Sequence, residues 1–356
     1  MFGAIANYLT LSKIASKQHR AFLFCLCGDR NKASSRVRGY WIAAALTRNG
    51  EQCTLGHYPS KMALLRFCVA MLTHEIIVFQ KVYSRWHCLC LRWANRLEKT
   101  TILDLDDAPS RVNHPVTLKN VEYMMCHVSA VTVGSQALFD YASQFSDHVH
   151  LIPSSITLEH YQPDQKVRAI ALVQPAPVCL GWIGNGRHYK SDLIAMLKEP
   201  LTQLASEQAI RFKLIGACHE QSLYDAFGNI PGLELDFIDQ LDWADPKAIA
   251  HALQDIDIGL YPLLPNDFNQ YKCGFKALEY MAMKIPVVSS DVAENREIIQ
   301  SGVDGLFARS PQEWTQQLSY LINDKPARLA MGERGREKIE QQYSIARAAE
   351  SILQIV

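Results

Sequence analysis

Residues 271–290 read YKCGFKALEYMAMKIPVVSS. At about 100° per residue, Gly274, Ala277, Leu278, Met281, Ala282 and Ile285 share one stripe, which predicts a helix with a buried face. Lys272, Lys276, Glu279 and Met283 fall opposite. On spacing alone those charges read as a solvated face carrying an i,i+3 ion pair. IPVVSS then reads as a short buried strand. The segment before it, IDIGLYPL (256–263), reads as another. Strand, helix, strand is the βα repeat of a parallel sheet covered on both faces.

The repeat extends in both directions. VCLGWIG (178–184) predicts a strand, NGRHYKS (185–191) a loop, and DLIAMLKEPLTQLASE (192–207) a helix. IRFKLIG and PGLELDFID predict further strands. Asp245 and Pro246 suit the N-cap and first turn of a helix. VAENREIIQSG predicts a helix ended by Gly302. Nearer the N-terminus, AFLFCLCG (21–28) predicts a strand, DRNKASSRVRG (29–39) a loop, and YWIAAALTRNG (40–50) a helix. EIIVFQK, TTILDLDD, SAVTVGS and HVHLIPSS complete a first set of strands. Between the two sets, TLEHYQPDQKVRAIALVQPAP (157–177) is polar, aperiodic and rich in proline, and reads as a linker.

The chain has 356 residues, which suits two domains. Lys+Arg and Asp+Glu number 36 each, so the net charge is zero, which argues against a nucleic-acid partner. No apolar run reaches the roughly 18 residues of a membrane span. The nearest, MALLRFCVAMLT (62–73), is short and interrupted by Arg66. The first residues lack the basic-then-apolar order of a signal peptide. The expectation is a cytoplasmic protein, with peripheral contact to a membrane surface left open. Ten cysteines without zinc spacing fit a reducing compartment and predict no metal site.

The helix of 271–290 starts just past a strand end, so its N-terminus points at the mouth of a cleft. Free N–H groups there favour anions. Two lysines in that turn oppose the helix dipole unless an anion is expected. Residues 274–307, GFKALEYMAMKIPVVSSDVAENREIIQSGVDGLF, resemble the donor-binding signature of nucleotide-sugar glycosyltransferases of the GT-B fold, in the large retaining family 4. ASSRVRGYWIAAAL, IVFQK, ILDLDDAP, GWIGNG, DIGLYPL and GERGREKIEQQYS agree in order, so the resemblance covers nearly the whole chain.

The resemblance implies an α/β fold of two Rossmann-like, doubly wound parallel-sheet domains facing across a cleft. An acceptor domain is expected over 1–165, a donor domain over 166–340, and a C-terminal helix over 341–356 that can pack back on the first domain. It implies transfer of a sugar from a nucleotide diphosphate sugar to a hydroxyl acceptor, with retention, without metal or further cofactor. Glu279 is then expected to accept hydrogen bonds from the donor ribose. Lys272, Phe275, Lys276, Arg187 and Lys190 would meet the rest of the donor, with Gly184 and Gly186 admitting its diphosphate. Ser34, Ser35, Arg36 and Arg38 would meet the acceptor. Two positions depart from the pattern: Tyr271 stands where the family often has a first Glu, and Lys284 where it usually has Gly.

DLDD supplies three candidate catalytic carboxylates, Asp104, Asp106 and Asp107, with His114 nearby. The resemblance places such a polar cluster beside the sugar. The same residues suit a metal-chelating DxD, a turn cap, or the nucleophile motif of haloacid-dehalogenase-type phosphatases. A GT-B protein that binds without catalysing is a further alternative, for which Tyr271 is the hint.

Overall fold

The computed structural model describes residues 19–58, 61–107, 115–164 and 177–356. The expected boundary at 165/166 and candidate His114 lie at or beyond the edge of these residues. Two six-stranded parallel sheets form the protein.

The first holds β1 (Ala21–Leu26), β2 (Gln52–His57), β3 (Ile76–Gln80), β4 (Thr100–Leu105), β5 (Ala130–Val133) and β6 (Val149–Leu151), in the order β2-β1-β3-β4-β5-β6. Its helices are α1 (Ala33–Ser35), continuing through a π-helical stretch Arg36–Trp41 into α2 (Ile42–Arg48), then α3 (Lys61–Ala70), α4 (Arg85–Arg96), α5 (Pro115–His127) and α6 (Gln136–Ala142). The second sheet holds β7 (Val178–Ile183), β8 (Ile210–Ile215), β9 (Leu233–Ile238), β10 (Ile258–Tyr261), β11 (Val287–Ser290) and β12 (Gly305–Ala308), in the order β12-β11-β10-β7-β8-β9. Its helices are α7 (Gly186–Glu207), α8 (Gln221–Phe227), α9 (Pro246–Leu253), α10 (Phe275–Ala282), α11 (Asn295–Ile298), α12 (Pro311–Asn323), α13 (Lys325–Gln342) and α14 (Ile345–Ile355). Inner strands such as β1, β3 and β10 are buried throughout and almost wholly apolar, as sheets covered on both faces require, while β2, β6 and β9 at the sheet edges are partly exposed. The last helix, α14, packs on α2 of the first domain, and Arg20 Nη1 donates to Leu353 O at 3.1 Å.

Strand order reverses direction at β1/β3 in one sheet and at β7/β10 in the other. Ligands of doubly wound sheets bind at such switch points, beyond the carboxyl ends of the strands. Tyr280 secures the second one. Its hydroxyl accepts from Ile183 N at 3.1 Å and lies 3.2 Å from both Gly181 O and Leu260 O. The ring fits because Gly259 has no side chain: a Cβ there would stand 2.4 Å from it.

Three sequence expectations shift. The segment ASSRVRG is helical, so helix starts at Ala33 instead of Tyr40. NGRHYKS belongs to α7, which begins at Gly186, with Asn185 as N-cap accepting from His188 N. The helix expected up to Gly302 is one turn, α11, because Ile299 is extended. In each case the tertiary contacts of a short polar stretch override its loop-like or helix-like composition.

Helix α10 ends in a Schellman motif: Ile285 N donates to Tyr280 O at 2.9 Å and Lys284 N to Met281 O at 3.0 Å. The motif needs a left-handed residue, and Lys284 supplies it at φ 58°. Its ion pair with Glu333 is partly exposed and offsets little of that strain. Lys284→Gly is therefore expected to raise stability by about 1 kcal/mol. Urea denaturation checks this; an unchanged or lower midpoint would show that the backbone strain is absent.

Candidate active site between the sheets

A cavity of about 400 Å³ lies where the two switch points face each other. The first domain lines it with Lys32, Ser34, Lys81 and Asp107, the second with His188, Tyr189, Phe268 and Lys272 among others. A chain of ion pairs crosses it. Lys81 Nζ lies 3.2 Å from Asp106 and 3.1 Å from Asp107, and Lys272 Nζ lies 3.6 Å from Asp107. Lys81 follows β3 with φ 53°, a left-handed conformation rare for a side-chain-bearing residue. Burial would lower its pKa, yet the two carboxylates hold it well above the usual lysine range. Burial likewise disfavours the Asp106 carboxylate, but Lys81 and Ser34 bring its pKa below the ordinary value.

The solvated-face reading of α10 is overturned. Every residue from Lys276 to Ala282 is buried, because α13 covers the helix on one side and the first domain closes on the other. Glu279 is 5% exposed, and its Oε1 accepts from Tyr161 Oη at 2.9 Å. Burial pushes its pKa up, and Arg36, the Tyr161 hydroxyl and Lys276 pull it back. Lys276, 9% exposed, has aromatic surroundings: Nζ lies 3.7 Å from the Tyr189 ring centroid, 4.9 Å from Tyr261 and 5.5 Å from Trp182. No carboxylate forms an ion pair with it among the described residues. Burial disfavours the Tyr189 phenolate, but Lys276 and Lys272 outweigh that and lower its pKa.

Gly184, at φ 154°, abuts Lys276: a Cβ there would stand 2.8 Å from Cε. A Cβ on Gly186 would stand 2.9 Å from Gly216 O, so the β7–α7 turn and the loop after β8 press backbone against backbone. The N-terminus of the 22-residue α7 thus opens beside Lys276.

Other expected site residues are placed differently. Asp104 is 4% exposed and held by Arg38, with Nε–Oδ2 at 3.1 Å and Nη2–Oδ1 at 2.5 Å, while Thr132 Oγ1 donates to Oδ1 at 2.7 Å. Arg38 Nη1 also donates to Ile152 O. Both charges are spent on each other behind the cavity. So engaged, Asp104 does not line the cavity where the phosphatase reading would need it, and Arg38 is turned to Asp104 and not to an acceptor. Ser35 is buried, 3.3 Å from Cys27 Sγ, and caps nothing. Arg36 reaches across the cleft, Nη1 donating to Trp243 O at 2.5 Å, with its Nε buried and without a partner. Arg187 and Lys190 face Glu220, at 3.9 and 3.0 Å. Phe275 packs on Trp41 at 6.1 Å, and Tyr271 on Tyr141 at 6.4 Å, both across the domain interface. Lys81, Tyr161 and Tyr189 were not among the expected site residues; Lys81 ends the quoted IVFQK, and its strand-end position was the available signal.

Residues 177–324 match the family model described as glycosyl transferases group 1. The matched stretch is less than half of the chain. It spans β7 to the end of α12, and so contains Gly184, Lys276 and Glu279. Across 284 residues the chain is 22% identical to D-inositol 3-phosphate glycosyltransferase of Nocardia farcinica (strain IFM 10152), a match covering 76% of this chain and 61% of that relative's length. Among solved structures, Anabaena HepE in complex with UDP-glucose superposes with a TM-score of 0.70 at 14% identity, covering 94% of this chain and 99% of that one. Sucrose-phosphate synthase from Thermosynechococcus elongatus gives 0.70 at 14% identity, covering 95% and 98%. These likenesses show that the two-domain fold is shared over nearly the whole chain, beyond the matched stretch as well.

A structural role for Asp104 has a distinct signature. Asp104→Ala strands a buried guanidinium and is expected to destabilise the protein by about 3 kcal/mol. Replacing both partners (Arg38→Met with Asp104→Leu) is expected to restore most of that loss. A single variant with unchanged urea midpoint would contradict the assignment.

Proposed function

We propose that the protein transfers a sugar from a nucleotide diphosphate sugar to a hydroxyl acceptor. The observation that carries this is Lys276: a buried ammonium without a carboxylate partner, at a switch point, beside a glycine turn and the start of a long helix. Such a charge is costly to bury unless an anion arrives to meet it. A diphosphate fits, because Lys276 and the α7 N-terminus would stabilise the charge that grows on it as the glycosidic bond breaks. Glu279, one helical turn away on α10, would accept the ribose hydroxyls, since an ionised carboxylate takes two O–H donors.

The acceptor hydroxyl would enter from the first domain, where Lys81, Asp106 and Asp107 lie. Asp107 and Asp192 are the carboxylates that line the cavity; Asp192 is engaged by Leu264 N and Asn269 Nδ2, which leaves Asp107 to orient the acceptor. The reading includes catalysis without metal, supported by the cation partner each Asp of this motif already has: Arg38 for Asp104, Lys81 for Asp106, Lys81 and Lys272 for Asp107. Retention of anomeric configuration belongs to the same reading and rests on the family resemblance. Contacts across the cleft, such as Gln136 N to Glu294 Oε2 at 3.0 Å, hold a closed form that would exclude water from the transfer.

Tyr271 favours a second reading, a domain that binds the nucleotide without transferring a sugar, because an interdomain aromatic contact replaces the family's first acid. A thermal-shift panel of UDP, GDP and ADP tests the shared part. One of the three is expected to raise the wild-type melting temperature. Glu279→Ala and Lys276→Ala are each expected to weaken that nucleotide about tenfold or more, on the order of 1.4 kcal/mol. No shift with any nucleotide would contradict both readings. Release of nucleoside diphosphate from its sugar conjugate, with acceptor present, separates the first from the second.

A further inference from the structure

Nine large apolar side chains are exposed among the described residues, and six of them fall between positions 62 and 89. Met62, Leu65, Val69 and Leu72, each more than half exposed, follow one another at i, i+3, i+7 and i+10 along α3 and its end. Leu64, Phe67 and Met71 fill the opposite side and are buried. The helix is therefore apolar on two faces, and a single core explains only one. Trp86 and Leu89, one turn apart on the neighbouring α4, extend the exposed face.

Charge around this face is one-sided. From residue 58 to residue 97 the sequence holds six Lys and Arg but a single acid, Glu75, in a chain whose total charge is zero. The Glu75 carboxylate is engaged by Ala21 N at 2.7 Å. Arg66, Arg85, Arg92 and Arg96 are exposed. Apolar side chains flanked by arginines and lacking carboxylates complement an anionic lipid surface, where the former enter the headgroup–acyl boundary and the latter meet phosphate. A protein partner of mixed charge would be matched by mixed charge here.

The face also leads somewhere. Trp86 lines a second cavity, of about 530 Å³, whose other walls include Leu64, from the buried side of α3, and Lys32, Lys81 and Tyr83. Those three residues also line the cavity between the sheets. The two spaces adjoin, so the cleft is continuous with a cavity that Trp86 borders at the edge of the α3–α4 face.

We propose that the α3–α4 face docks on an anionic lipid bilayer, with the interdomain cleft opening toward the lipid surface. No described helix is long and apolar enough to cross a membrane, so the contact is peripheral. Docking stands on this face alone and does not depend on the donor-site reading.

The test is co-sedimentation of the full chain with vesicles of phosphatidylcholine alone, and of phosphatidylcholine mixed with phosphatidylglycerol. The wild type is expected to sediment with the mixed vesicles, less so as salt rises, and to remain in solution with phosphatidylcholine alone. Leu65→Ser combined with Val69→Ser, and separately Arg66→Glu combined with Arg85→Glu, are expected to cut the bound fraction about tenfold. Nucleotide-induced thermal shifts, measured on the same variants, are expected to match wild type; this shows them folded and keeps donor binding separate. Wild type that stays in solution with both vesicle types overturns the proposal. So does binding that survives both pairs of substitutions, or a self-association that Leu65→Ser with Val69→Ser abolishes while vesicles are ignored.

Discussion

Burial of charge on α10 is the constraint on which the rest depends. Desolvating an ammonium or a carboxylate costs several kcal/mol unless partners replace water. The protein meets this cost in two ways, one in the first domain and one on α10. Arg38 and Asp104 satisfy each other completely and add Thr132 and a backbone carbonyl, so the pair is finished and inert. Lys276 and Glu279 are left with aromatic faces and tyrosine hydroxyls, Tyr189 at the lysine and Tyr161 at the carboxylate. A finished pair stabilises a fold; an unfinished one is suited to a ligand.

The fold makes that arrangement affordable by fixing α10 from below. Tyr280 joins β7 and β10 through the backbone groups of Ile183, Gly181 and Leu260. Its neighbour Glu279 is thereby aimed at the cleft and not at solvent. On the facing lobe, left-handed Lys81 places its ammonium between Asp106 and Asp107, and Lys272 completes the chain from the second domain. The two switch points are thus tied by charge as well as by packing, which is how two separate sheets come to share one cavity.

Much of this was legible in sequence. The apolar runs ending at Gly28, Lys81 and Gly184 announced strands, and their alternation with helices announced the sheets. Glu279 was singled out by its place in a helix next to a PVV strand. What spacing could not show was burial: an amphipathic pattern reports one apolar stripe, and says nothing of a second domain closing on the polar side. Asp104 and Arg38 were misjudged for the same reason, since 66 residues of sequence separate a pair whose atoms touch. Arg187 and Lys190 looked like loop cations because Gly184 and Gly186 punctuate the segment; the packing of Gly186 against Gly216 instead starts a helix there and turns both side chains toward Glu220.

The central claim is that the unfinished charges of α10 receive a nucleotide diphosphate. A crystal structure of the protein with bound UDP tests it most directly. The account predicts the diphosphate beside Lys276 and the Gly184–Gly186 turn, with the ribose hydroxyls on the Glu279 carboxylate. Nucleotide bound elsewhere, with Glu279 still held by Tyr161 and Lys276 still enclosed by its rings, would contradict it.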